Sequence, residues 1–239
     1  MIILIGGEKG GSGKSCLAQN MAVFLTDECN ANVIIVDCDP QRSTSDWAYC
    51  RARNKQLSAI KCIQLFGKIR NDLLKLEKHY HYVIIDCGSQ DNLALRASMS
   101  VSDYSLIPIR PKLRDINSIK NIDDIVATCL MINPELKASF VITQCPSNAN
   151  YDKRVLDTKE ACSTYGLHVL NNIMYEHDIY DDSEQAGHSV LDMAPDCQAA
   201  NEIRNLTCEL LRVNTCDDIK QRIVEYDAAI IPVSKNKMP

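Results

Sequence analysis

No stretch of this 239-residue chain approaches the ~20 consecutive apolar residues that a membrane-spanning helix needs. The short apolar opening has neither a basic leader nor a cleavage site, so no secretory signal is expected either. Positive charge is not in excess: 26 Lys and Arg against 31 Asp and Glu leave a formal charge of -5. The molecule as a whole is not built as a polyanion binder, and any nucleic-acid contact must fall to a local basic patch. The twelve cysteines contain no C-x-x-C pair, and several, such as Cys38 and Cys87, stand beside the ends of apolar runs. Free thiols there behave as small hydrophobes, so core packing is expected rather than disulfides or metal ligation, in a cytoplasmic protein. Internal repeats and low-complexity linkers are absent as well.

What is present begins directly after the apolar run 2–5. Glu8-Lys9-Gly10-Gly11-Ser12-Gly13-Lys14-Ser15 is a phosphate-binding loop, opened by Gly6 or Gly7 and closed by Gly13-Lys14-Ser15. Gly10, Gly11 and Gly13 allow the backbone to turn its N–H groups onto a polyphosphate, with Ser12 between them. Lys14 would reach the β- and γ-phosphates, the Ser15 hydroxyl would ligate Mg²⁺, and Cys16 would start the helix whose N-terminus completes the anion site. Lys9 is one lysine more than the ordinary loop carries. A nucleoside triphosphate with magnesium is the implied ligand.

Apolar runs of strand length alternate with segments of helical period, the pattern of an α/β, doubly wound, mostly parallel sheet with helices on both faces. Strands are predicted at 2–5, 33–36, 62–65, 82–85, 105–109, 140–143 and 167–170. Helices are predicted at 15–25, 67–79, 115–131, 153–165, 197–213 and 217–229. The length suits one P-loop domain over residues 1–215, with a C-terminal helix and tail, 216–239, belonging to the same unit. The polar end, with Lys235 and Lys237, reads as a frayed terminus.

In such a sheet ligands lie beyond the carboxyl ends of the strands, where two further strands contribute carboxylates. The second ends in Asp37-Cys38-Asp39-Pro40-Gln41 and the fourth in Ile84-Ile85-Asp86. Four apolar residues closing on an aspartate form a Walker B pattern, so Asp86 is the expected Mg²⁺ ligand.

The pairing of K-G-G-x-G-K-[ST] at 9–15 with D-x-D-P-Q at 37–41 resembles the ParA family of partition ATPases, within the deviant Walker A class that includes MinD. Ser43, Ser45 and Trp47 resemble the compact, ParF-like plasmid-partition subgroup, and weaker similarity runs to about residue 213. The resemblance implies an Mg-dependent ATPase, slow without a partner, that dimerises around ATP. Lys9 would cross to the phosphates of the other subunit, with Lys14 acting in its own subunit and Asp39 orienting the attacking water. Ser15 and Asp86 would hold the metal, with Asp37 close to that shell. It further implies non-specific binding to duplex DNA, association with the nucleoid when ATP is bound, and a ParB-like centromere-binding partner that stimulates hydrolysis, in plasmid or mobile-element partition.

Several expectations qualify this. The few residues before the loop leave no room for a helix-turn-helix, so sequence-specific operator binding is not expected. The segment 174–182, where many relatives carry arginines, is acidic here; basic candidates are Arg51, Arg53, Lys55, Lys153, Arg154, Arg204, Arg212, Lys220 and Arg222. No guanine-reading N-K-x-D follows the strand 140–143, where Gln144-Cys145-Pro146 stands instead, so ATP is favoured, with Gln144 and Pro146 flanking the base. Three other readings remain: a positioning scaffold for a protein complex, a MinD-like membrane ATPase, and a nitrogenase-iron-protein-like reductase using Cys87 and Cys129. The acidic residues of 217–229 speak against the second, and the lack of glycine-rich surroundings at both cysteines against the third.

Overall fold

The computed structural model describes residues 1–8, 10–88, 92–146 and 152–230; Lys9 and the terminal segment with Lys235 and Lys237 lie outside them. Seven strands form one sheet: β1 (Ile2–Gly6), β2 (Val33–Asp37), β3 (Lys61–Gln64), β4 (Tyr82–Cys87), β5 (Tyr104–Ile109), β6 (Lys137–Ile142) and β7 (His168–Val169). Their order is β3-β2-β4-β1-β5-β6-β7 and every pairing is parallel. Every residue of β1, β2, β4 and β5 is buried, because helices cover both faces. Alternation along the strands divides the interior in two. Ile3, Ile5, Ile35 and Ile84 face one core; Leu4, Ile34, Val36 and Ile85 face the other. The doubly wound architecture expected from the sequence is therefore the one observed.

The first core is closed by α1 (Lys14–Val23), which runs on through a π-turn (Phe24–Glu28), and by α10 (Gln198–Leu211). α11 (Cys216–Ile230) adds Ile219 and Ile223 to the same core. The second is closed by α3 (Arg70–Glu77), α4 (Asn92–Met99) and α6 (Ile119–Leu130), through Leu73, Leu95 and Val126, and by α7 (Asp152–Thr164) through Val155.

Six helices depart from the expected pattern. The sequence pattern gives no helix at α2 (Ser43–Arg53), because the segment is polar and its one wholly buried large side chain is an arginine, with Trp47 beside it. α4 also escaped the periodicity. The single helix expected at 115–131 is two, α5 (Leu113–Ile116) and α6. Ser118 Oγ donates to the Asp115 carbonyl at 2.6 Å, closing the first before the second begins. Two short helices, α8 (Ile179–Glu184) and α9 (Val190–Met193), fill the stretch before α10, and β7 has only two residues.

Candidate functional site

The carboxyl ends of the central strands put the loop and the carboxylates together. In register, Asp86 lies opposite Ile5 on one side and Asp37 on the other. The loop leaves β1 at Gly6 and enters α1 at Lys14. Gly11 and Gly13 sit at φ 71° and 84°, in the left-handed region where a side chain would be strained. The loop carbonyls are turned back to the scaffold. Thr143 Oγ1 donates to Ser12 O at 2.9 Å, and both Gln144 Nε2 (2.9 Å) and Arg110 Nη1 (3.2 Å) donate to Gly11 O. Such tethering leaves the N–H side of the loop to an anion.

Lys14 is 6% exposed. Burial lowers its pKa, opposed by the charges of Asp86 and Asp39 and reinforced by Arg110. Asp86 is buried at the end of β4, where desolvation pushes its carboxyl up to about 6 against hydrogen bonds from Thr44 and Ser15. Thr44 Oγ1 donates to Asp86 Oδ2 at 2.6 Å, and Gln19 Nε2 donates to Thr44 Oγ1 at 3.2 Å. Asp86 Oδ1 is buried and has no hydrogen-bond partner among the described residues. A buried carboxylate oxygen left open beside a lysine and a serine hydroxyl is chemically suited to a hard divalent cation.

The two aspartates of 37–39 divide differently. Asp37 Oδ1 accepts from Asp39 N at 3.0 Å, and Oδ2 accepts from Ser45 N and Ser45 Oγ at 2.8 and 2.6 Å. Its carboxylate is thus engaged in shaping the 38–45 turn and starting α2. Asp39 Oδ1 accepts from Gln41 N at 2.9 Å, and its carboxylate leans over Gly88. A Cβ at residue 88 would stand 2.6 Å from Asp39 Cγ, so the glycine makes room for it.

Beside the loop is a cavity of ≈ 240 Å³ lined by Gly13, Cys16, Leu17, Gln144, Tyr175 and Tyr180 among others. The acidic segment 174–182 supplies its far wall, with Glu176, His177, Asp178 and Asp181. That stretch therefore borders the nucleotide side of the fold. Burial pushes the Cys16 thiol up to about 12. Pro146 is half-buried and is not part of this lining.

Arg51, Arg204, Lys220 and Arg222, four of the nine basic residues singled out as surface candidates, pair with other groups of the chain. Arg51, expected as a surface candidate, is instead 0% exposed and paired with Asp192 at 2.7 Å and Asp27 at 3.1 Å, out of reach of any external ligand. Arg204 forks Glu28 at 2.6 and 2.8 Å; Arg222 donates to Leu211 O, and Lys220 pairs with Asp217. Arg53, Lys55, Lys153, Arg154 and Arg212 are exposed, as is Arg222. Cys87 and Cys129 are both buried in the second core. Among the described residues no helix is long and apolar enough to cross a membrane.

Thr44, Arg110 and Thr143 were not anticipated as site residues. Thr44 lies between Ser43 and Ser45, and Arg110 and Thr143 follow strand ends, all three outside the loop and aspartate motifs.

Residues 3–190 match the CobQ/CobB/MinD/ParA nucleotide binding domain. The chain is 23% identical over 205 residues to the maintenance of carboxysome distribution protein A of Halothiobacillus neapolitanus, covering 85% of this chain and 93% of that one. Among solved structures it is similar to an ATP complex of Cyanothece McdA (TM-score 0.68, 16% identity, 90% and 97% of the two chains). It is also similar to cobyrinic acid a,c-diamide synthase from Mycobacterium smegmatis with ADP and magnesium (TM-score 0.69, 16% identity, 88% and 94%). With the loop, the D-x-D-P-Q turn and the strand-end aspartate disposed as above, the chain belongs to the CobQ/CobB/MinD/ParA nucleotide-binding family.

Proposed function

We propose that this protein is a ParA-like positioning ATPase, in which MgATP closes a homodimer, the dimer binds duplex DNA without sequence preference, and hydrolysis releases it. The observation that carries the reading is the open Asp86 Oδ1 beside Ser15 and Lys14 at the mouth of the loop. Ser15 and Asp86 would hold the magnesium ion, which supplies charge neutralisation on the phosphates. Asp37 acts one step back, by holding the turn that carries Asp39. Lys14 neutralises phosphate charge within its own subunit. Asp39, partly exposed and ordered by its own turn, orients the attacking water as hydrogen-bond acceptor. Gly10 to Cys16 form the phosphate cradle, Gln144 borders both loop and cavity, and the base would enter the cavity.

Lys9, outside the described residues, is assigned the reach across to the partner's phosphates. A cation delivered only by a second subunit makes hydrolysis conditional on assembly. Exposed Arg53, Lys55, Lys153, Arg154 and Arg212 are among the basic side chains available to duplex DNA; a dimer presents each twice. A ParB-like centromere-binding protein would be the stimulator in plasmid or mobile-element partition, with the ATP-bound form on the nucleoid and the free form in the cytoplasm.

Light scattering with MgATP, MgADP or neither, repeated with duplex DNA over a salt series, tests the whole. A dimer only with ATP, and DNA binding that weakens steeply with salt, is expected. A monomer under every condition would remove the reading. A second reading, a scaffold that positions a protein complex, is favoured by the extent of similarity to the carboxysome distribution relative. The two separate on whether the stimulating partner itself binds a specific DNA site.

A further inference from the structure

Arg110 and Gln144 leave the sheet side by side, because β5 and β6 are parallel neighbours with Ile109 opposite Ile142. Their side chains then meet on one atom, the Gly11 carbonyl oxygen. Neither contact is casual. Arg110 Nε and Nη2 fork the Asp115 carboxylate at 2.7 and 3.1 Å, leaving Nη1 aimed at the loop. Asp115 is 1% exposed, so the guanidinium is anchored on a buried, fixed partner rather than on a mobile surface acid. A planar fork held on two sides retains little rotational freedom for the third nitrogen. Gln144, for its part, holds φ at 49°, a backbone conformation that costs a non-glycine residue free energy.

The loop has reason to need this. Gly11 is itself left-handed at φ 71° and has no side chain with which to lock its own peptide. Its carbonyl, left free, could rotate toward the anion site and repel phosphate oxygen. Two donors from different strands, one of them charged, hold it on the scaffold side.

We propose that Arg110 is a positioning residue of the phosphate-binding loop: anchored on Asp115 and acting with Gln144, it holds the Gly11 carbonyl so that the loop is set for phosphate before nucleotide arrives. The role lies outside the loop motif and the two aspartate motifs. It rests on the reading that the loop binds MgATP, and the test separates the two.

Calorimetric binding of MgATP and MgADP, with steady-state turnover, is measured on the parent, Arg110→Ala, Arg110→Lys, Gln144→Ala and the Arg110→Ala/Gln144→Ala double variant. A parent that binds neither nucleotide refutes the functional reading itself. With a binding parent, Arg110→Ala weakens both nucleotides by roughly ten-fold or more and raises KM, while kcat at saturation stays within about three-fold. Arg110→Lys keeps the charge but lacks the fork, and recovers only part of the loss. Because both side chains act on one carbonyl, the double variant loses less than the product of the single losses. Three results would overturn the proposal: Arg110→Ala and Gln144→Ala both binding like the parent, full rescue by lysine, or a loss confined to ATP, which would make Arg110 a γ-phosphate contact instead. Should Arg110→Ala fail to fold, Gln144→Ala carries the binding test, and Arg110→Lys carries the comparison of ATP with ADP.

Discussion

Arg51 Nη1 donates to Asp192 Oδ2 at 2.7 Å across 141 residues of sequence, and the arginine is wholly buried. Around this pair α2 is fixed to the segment before α10. Arg51 also reaches Gly187 O and Ser58 O, Trp47 Nε1 donates to His188 O, and Ser189 forms a capping box with Asp192. Removing the cation leaves two carboxylates, Asp192 and Asp27, around a buried gap. Arg51→Met is expected to destabilise the fold by about 3–5 kcal/mol, read by urea denaturation. Asp192 adds a pH signature: burial raises its pKa, but hydrogen bonds from Arg51 and Ser189 outweigh this and leave it lowered. Its stabilising contribution is therefore complete above the ordinary carboxylate range and lost as pH falls through the depressed folded value. Arg51→Met should flatten that acid limb.

Asp86 has the opposite sign. With its carboxyl pushed up to about 6 by burial, the folded protein holds a proton that the unfolded chain has released above about pH 4. Stability of the nucleotide-free, metal-free protein should fall as pH rises from about 4 to 6 and level off beyond. Asp86→Asn should remove this slope, and should also remove magnesium-dependent ATP binding at neutral pH. Thermal melts across that range, with and without MgATP, check both.

Lys14 and Asp39 separate binding from chemistry. Lys14→Ala removes a buried cation beside the phosphates and should weaken MgATP binding by roughly ten-fold or more. Asp39→Ala should retain binding and ATP-driven dimerisation while turnover drops by roughly a hundred-fold. Gly88→Ala should mimic it, since the new methyl displaces the Asp39 carboxylate. Turnover measured beside dimer lifetime decides; near-normal turnover in Asp39→Ala would move the catalytic role elsewhere.

Lys9→Ala is expected to keep substantial ATP binding yet lose ATP-dependent dimerisation and partner-stimulated hydrolysis. Sedimentation velocity with MgATP gives the answer, and a variant that dimerises like the parent would refute the assignment across the interface.

The architecture was legible in the residues alone, and so was the placing of the loop beside the strand-end aspartates. Continuous apolar runs such as 33–36 and 82–85 specify strands buried on both faces, and glycines with lysine and serine at a strict spacing specify an anion cradle, because both signals are local. Strand-end position puts Lys14, Ser15, Asp37, Asp39 and Asp86 at one edge of the sheet. How those groups engage one another emerges only when the chain is packed. Asp37 and Asp86 look alike in sequence, yet the first is satisfied by Ser45 and Asp39 while the second keeps an oxygen open. α2 has too few apolar positions to show a helical stripe, since Trp47 and Ala48 share its buried face with the ion-paired Arg51. Arg110 and Gln144 meet at Gly11 only because neighbouring parallel strands end in register. Periodicity records which faces avoid water; partners such as Arg51 with Asp192, 141 residues apart, or Gln144 with Gly11, 133 apart, are settled by the packed fold, and no local pattern encodes them.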